Sequence, residues 1–142
     1  MAWSDLNDVE VLACLENHKT TPVWKIRSAE DLEDDSLAKV VRDHKGYALY
    51  FSRSPIPFLR DIERMQWTTR AVYWSHYGIY AYTRKILETL DEIPLGVLEQ
   101  FEKLEQLRFL ENDFKVMTVE TSYRQMAVDT YEDLKKIKQI MR

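Results

Sequence analysis

Apolar and polar positions along this chain change period from segment to segment, and the changes mark out its elements. Leu6, Val9 and Ala13 recur at helical spacing behind Ser4, with Asp5 and Asp8 in the favourable first turn, so a helix is predicted through about Asn17. Pro22 to Arg27 reads as a strand, Ser28 to Asp35 as a short acidic helical turn, and Lys39 to Arg42 as a second strand. Asp43-His44-Lys45-Gly46 is a hairpin turn into the run Gly46-Tyr47-Ala48-Leu49-Tyr50-Phe51-Ser52-Arg53-Ser54-Pro55-Ile56-Pro57. There Tyr47, Leu49 and Phe51 share one face with Arg53, while Ala48, Tyr50 and Ser52 share the other. Ser54 to Tyr73 loses periodicity and is expected to be a long loop with one helical turn, the kind that carries function or an interface. A strand at Trp74 to Tyr82, a helix from Thr83, a turn around Pro94 to Gly96 and a helix from Val97 to Leu110 follow, then a strand at Phe114 to Glu120. A final helix starts at Thr130, which with Asp133 resembles a capping box. Strands alternating with helices, plus one hairpin, predict a single α/β domain over residues 1–142, with three layers and a mixed sheet.

Composition narrows the classes without choosing among them. A chain of 142 residues with 45% hydrophobic content can bury a real core. No stretch approaches the roughly 20 apolar residues that span a bilayer, so membrane insertion is not expected, and the acidic start from Met1 to Glu10 is unlike a secretory leader. The lone Cys14 cannot form an internal disulfide, which suits a cytoplasmic setting. A net charge of -4 argues against a general nucleic-acid binder, and the lysines Lys135, Lys136 and Lys138 fit a solvated helix end. Only Gly46, Gly78 and Gly96 occur, so no glycine-rich loop can cradle phosphates.

Several residues carry chemistry alongside a plainer explanation. Arg53 ends an apolar strand, where it either forms a structural pair or meets an anion. His76 and Tyr80 would share a strand face with Gly78 between them, opening a notch about 13 Å long at about 3.3 Å per residue; the plainer account is a backbone packed over Gly78. On the helix Val97 to Leu110, the positions Val97, Phe101, Leu104 and Leu107 form the buried arc, and Arg108 within it is expected to pair with Glu105. Asp129 stands before a helix, placed either to cap it or to bind a hard cation.

Four blocks in order carry a resemblance that reweights these alternatives. They are Ala48-Leu49-Tyr50-Phe51-Ser52-Arg53 with Ile56-Pro57, then His76-Tyr77-Gly78-Ile79-Tyr80-Ala81-Tyr82. Leu104-Glu105-Gln106-Leu107-Arg108 with Leu110-Glu111-Asn112, and Val128-Asp129-Thr130 leading into Glu132-Asp133-Leu134, complete the set. Together they resemble the 3-deoxy-manno-octulosonate cytidylyltransferases, the CMP-Kdo synthetases, from about Lys39 to the C-terminus. The resemblance implies a nucleotide-diphospho-sugar-transferase-like fold lacking its N-terminal nucleotide-binding part. It implies transfer of CMP from CTP to Kdo with loss of pyrophosphate, for lipopolysaccharide synthesis. Arg53, His76, Tyr80, Glu105 and Gln106 would bind the sugar, Asp129 would hold Mg2+ in an incomplete site, and the chain would be one half of a homodimer. CTP would bind only with the missing part supplied, so the chain alone would be inactive; a noncatalytic module of the same fold is the alternative. Kdo and an amino-modified Kdo are not distinguished. Ala127 where the family has Gly, Asp34-Asp35-Ser36 where it has Asn-Pro-Asn, and Gly96-Val97-Leu98-Glu99 where it has Ser-Pro-Leu-Glu are departures from its pattern.

Overall fold

The computed structural model describes residues 19–123 and 131–140. The helix expected from Ser4 to Asn17, Cys14, Asp129 and the start of the capping box at Thr130 lie outside that range.

A mixed sheet organises the chain. Its longest strand, β1 (Lys19–Ile26), runs parallel to β6 (Val116–Thr121) on one edge. The other edge of β1 is shared by two short antiparallel strands, β4 (Tyr73–His76) along Val23 to Ile26 and β5 (Ala81–Tyr82) along Lys19 and Thr20. Beyond β4 lies the hairpin of β2 (Lys39–Arg42) and β3 (Ala48–Ser52). Its turn is held by Asp43, whose carboxylate accepts from the amides of Lys45 and Tyr47, and Gly46 takes a φ of 90° that a side chain would resist. The pairing slips by one residue between Val41 and Arg42, and the extra residue, Leu49, is turned out to solvent instead of sharing the buried face of Phe51.

Alternation along β1 divides the interior in two. Val23 faces a cluster with Val40, Phe51, Leu107, Phe109 and Val116, whereas Trp24 and Ile26 face one with Leu32, Trp67 and Tyr73. The first is covered by α3 (Arg84–Thr89), α4 (Val97–Glu102) and α5 (Gln106–Glu111). The second is covered by α1 (Ala29–Glu33), capped by the Ser28 hydroxyl, and by α2 (Trp67–Arg70) in the otherwise irregular 54–73 segment. Helices on both faces of one mixed sheet give the three-layer α/β arrangement expected from the element order. The final helix, α6, spans Tyr131–Ile140. No helix among the described residues is long and apolar enough to cross a membrane.

Two expected elements are broken. The strand expected from Trp74 to Tyr82 is interrupted over 77–80, because the Thr21 hydroxyl lies 2.9 Å from the carbonyl oxygens of both Tyr77 and Ile79 and holds the backbone turned toward it. The helix expected from Val97 to Leu110 stops at Lys103, which takes a left-handed φ of 54°. That break removes Val97 and Phe101 from the predicted buried arc: Phe101 is 79% exposed, while Leu104 and Leu107 are buried. It also changes a partner, since Arg108 forms a two-point pair with Glu99 at 2.7 and 2.8 Å, not with Glu105.

Candidate functional site

The interrupted strand brings His76 and Tyr80 together by a different route from the one expected. Gly78 is exposed, and a methyl group there would meet nothing within 4 Å, so no backbone packs over it, and the notch expected between His76 and Tyr80 is closed by their own contact. Instead the bend over 77–80 folds Tyr80 back until its hydroxyl lies 2.8 Å from His76 Nε2. The same hydroxyl donates to Gln106 Oε1 at 3.0 Å. Because a phenol has one proton, and that proton goes to Gln106, His76 Nε2 must be the donor in the first contact. Its Nδ1 is then a lone-pair acceptor, buried and without a partner among the described residues, and the donor Gln106 Nε2 is likewise buried and unpartnered among them.

Burial sets the charge states. The His76 ring, edge-on to Phe51 at 5.3 Å, is desolvated, and with the nearby Lys19 charge this pushes its pKa down to about 4, so the imidazole is neutral at pH 7. Tyr80 is pushed well above the usual phenol range by burial and then by Tyr82 and Glu105, and Tyr82 is raised to about 12 by burial and then by Glu105. Glu105 itself is exposed and begins the turn into α5. Four of the five sugar-site candidates therefore fall in one region: His76, Tyr80 and Gln106 by direct contact, and Glu105 through its field.

Beneath this group lies Lys19, which precedes the strand expected from Pro22 to Arg27. The strand in fact runs Lys19–Ile26, and along it Lys19, Thr21 and Val23 share one face. Lys19 is fully buried, with its Nζ 3.9 Å from the Tyr80 ring centre and 3.6 Å from that of Phe109. Among the described residues its ammonium has no hydrogen-bond partner, and desolvation lowers its pKa to about 7, against the opposing pull of Glu105 and Glu99. The only sequence signal was its parity with Val23 along the strand.

Arg53 sits apart from that group and is heavily engaged. Its Nε donates to the carbonyl of Glu102 at 2.9 Å, and its terminal nitrogens reach the carbonyls of Asp35 at 2.7 Å and Lys103 at 3.4 Å. Glu102 returns the contact, accepting from the Arg53 amide at 2.9 Å and from the Ser52 hydroxyl at 2.6 Å. Lys39, also fully buried, gives its ammonium to the carbonyls of Asp34, Leu37 and Arg53 at 2.5, 2.8 and 2.6 Å. This bracket joins the end of β3 to the kink before α5. Among the described residues no group of three or more histidine, cysteine or carboxylate side chains has the geometry to hold a metal ion.

Comparison with known proteins gives these positions a family context. A cytidylyltransferase family profile matches residues 7–137. The 3-deoxy-manno-octulosonate cytidylyltransferase of Desulfosudis oleivorans is 45% identical over 122 residues, which cover 86% of this chain and 47% of that protein. That of Solibacter usitatus is 42% identical over 118 residues, covering 83% and 45%. Among solved structures, a CMP:2-keto-3-deoxy-manno-octonic acid synthetase complexed with CTP superposes with a TM-score of 0.81 at 36% identity, over 94% of this chain and 55% of that one. The chain thus spans about half the length of the curated relatives it matches. On this agreement of sequence and fold, the chain belongs to the cytidylyltransferase family, with 3-deoxy-manno-octulosonate cytidylyltransferases as its relatives.

Proposed function

We propose that this chain carries the sugar side of a CMP-Kdo synthetase, binding Kdo for transfer of CMP from CTP and release of pyrophosphate, in the cytoplasmic supply of activated sugar for lipopolysaccharide. The observation that supports the reading is the buried chain from His76 through Tyr80 to Gln106, with an unpaired acceptor at one end and an unpaired donor at the other. Sugar hydroxyls both donate and accept, so they match such a pair of ends. Glu105, exposed beside them, adds an acceptor, and Arg53, after its three carbonyl contacts, has N–H donors left for a sugar hydroxyl.

The nucleotide side is expected from outside the described residues. With three glycines in the chain and no phosphate-cradling loop, turnover requires a second segment that supplies the CTP site, and the chain alone is inactive. Mg2+, held in part by Asp129, would when bound supply positive charge at the phosphorus under attack. The 54–73 segment exposes Phe58 at 72% and Met65 at 77%, apolar surface suited to a homodimer contact. Titration of the chain with Kdo by calorimetry tests the reading: binding that Tyr80→Ala and Gln106→Ala each weaken at least tenfold supports it, and a flat titration of the folded wild-type chain favours a noncatalytic module. Turnover of CTP and Kdo by this chain alone would refute the inactivity. Sedimentation showing only monomer at high concentration would refute the dimer.

A further inference from the structure

The buried ammonium of Lys19 is the feature that the reading above does not use. A charged side chain removed from water is normally paired, because an isolated ion in the interior is costly. Lys39 obeys that rule with three carbonyls, whereas Lys19, among the described residues, has aromatic faces, those of Tyr80 and Phe109 and, farther off, Tyr82. Aromatic faces attract an ammonium but do not accept its three N–H bonds as oxygen does. A second orphaned donor, Gln106 Nε2, belongs to a residue that accepts from the Tyr80 hydroxyl, and the part-exposed Tyr80 ring also lies against the ammonium. Two buried donors without acceptors, both on residues that touch Tyr80, suit an anionic group.

We propose that Lys19 is a substrate-binding residue of this site, its ammonium receiving the carboxylate of the acid sugar together with Gln106 Nε2 when the Tyr80 ring turns aside. The assignment rests on the sugar-site reading and supplies its missing charge. Arg53, the other cation considered for that carboxylate, already has three backbone carbonyls as partners.

The groups facing Lys19 determine what binding does to protons. From α5 these are Glu105 and Arg108, from α4 Glu99, from β4 His76, and from the bend and β5 Tyr80 and Tyr82. At pH 8 Glu99, held low by its Arg108 partner, is ionised, Arg108 is charged, and His76 and both phenols are neutral. Lys19, with its pKa near 7, is then largely an uncharged amine, and an arriving carboxylate draws a proton onto it.

Calorimetry at pH 8 in buffers of different ionisation enthalpy, with Kdo and with its carboxamide on wild type and Lys19→Met, tests the assignment. The expected result is proton uptake with Kdo on wild type, absent in Lys19→Met. Affinity for the acid should fall roughly 10- to 100-fold, and affinity for the carboxamide less than about twofold. If Lys19→Met retains both the preference for the acid and the proton uptake, the Lys19 assignment is wrong while the sugar site stands. If folded wild type binds neither compound, the sugar-site reading falls and Lys19 falls with it. Near-ultraviolet dichroism checks the fold of the variant, and Lys19→Gln, which keeps a donor without the charge, replaces it if Lys19→Met does not fold.

Discussion

Two fully buried lysines lie on strands β1 and β2 of one sheet, with β4 between them, and lead opposite lives. Lys39 ends among the carbonyls of Asp34, Leu37 and Arg53, within a bracket where Arg53 and Glu102 exchange further hydrogen bonds. Lys19 ends between two rings beside a histidine and a glutamine that each carry an unpaired atom. Satisfied polar groups in a low-dielectric interior rigidify what they join, and unsatisfied ones mark where something else is meant to bind. The bracket is therefore structural and the cluster receptive, although both are buried and both carry a positive side chain.

The largest test of that contrast is Lys39→Met. It leaves a fully buried position without the donor that served three carbonyls, so a loss of about 3–5 kcal/mol is expected in urea unfolding. A loss below about 1 kcal/mol would erase the distinction between the two lysines. Next is Glu102→Ala, which removes the acceptor for Ser52 and for the Arg53 amide and should cost about 2 kcal/mol, read as a lowered urea midpoint at unchanged slope.

Lys19→Met should act in the other direction, leaving the chain as stable at pH 7 or more so, since a buried charge is replaced by a side chain of similar shape. The sign with pH follows from proton counting. The folded pKa is about 7 and the unfolded one 10.5, so between those values the unfolded chain binds more protons and wild-type stability rises with pH. Unfolding free energies at pH 7, 8.5 and 10 should show that rise in wild type and lose it in Lys19→Met.

A further pH effect concerns His76, neutral in the fold with a pKa near 4 against 6.5 when unfolded. Here too the unfolded chain takes up more protons, so stability falls as pH drops from about 6.5 to about 4. In His76→Gln that part of the acid slope should disappear, as unfolding curves at pH 6.5 and 4.5 will show.

What the sequence made legible was local. The β2–β3 hairpin was readable because Asp43 and Gly46 enforce their turn within a few residues, and α1 because Ser28 caps it directly. What escaped depended on distant partners. The bend that brings Tyr80 to His76 is held by Thr21, which lies 56 positions from Tyr77 along the chain. The kink at Lys103 is held by Arg53, 50 positions away, and no glycine marks it. His76, Tyr80 and Gln106 could be named from their motifs, but the notch imagined around Gly78 was wrong, because the contact is made by folding back rather than by running straight. Lys19 was hidden because it precedes the strand expected from Pro22 to Arg27, whereas the strand in fact begins at Lys19.

Glu111 shows how far the control of the site extends. Its carboxylate accepts from the backbone amides of Val97, Leu98 and Glu99, in the space that a side chain on Gly96 would fill, since a methyl there would stand 1.7 Å from its oxygen. With Arg108 clasping Glu99 as well, the far end of α5 is fastened to the near end of α4, and the bend between them becomes a closed ring. Gln106 is thus aimed by a hoop of bonds rather than by one helix. Cutting the hoop at Glu111 would loosen the glutamine's aim without altering a single atom of the His76–Tyr80–Gln106 chain.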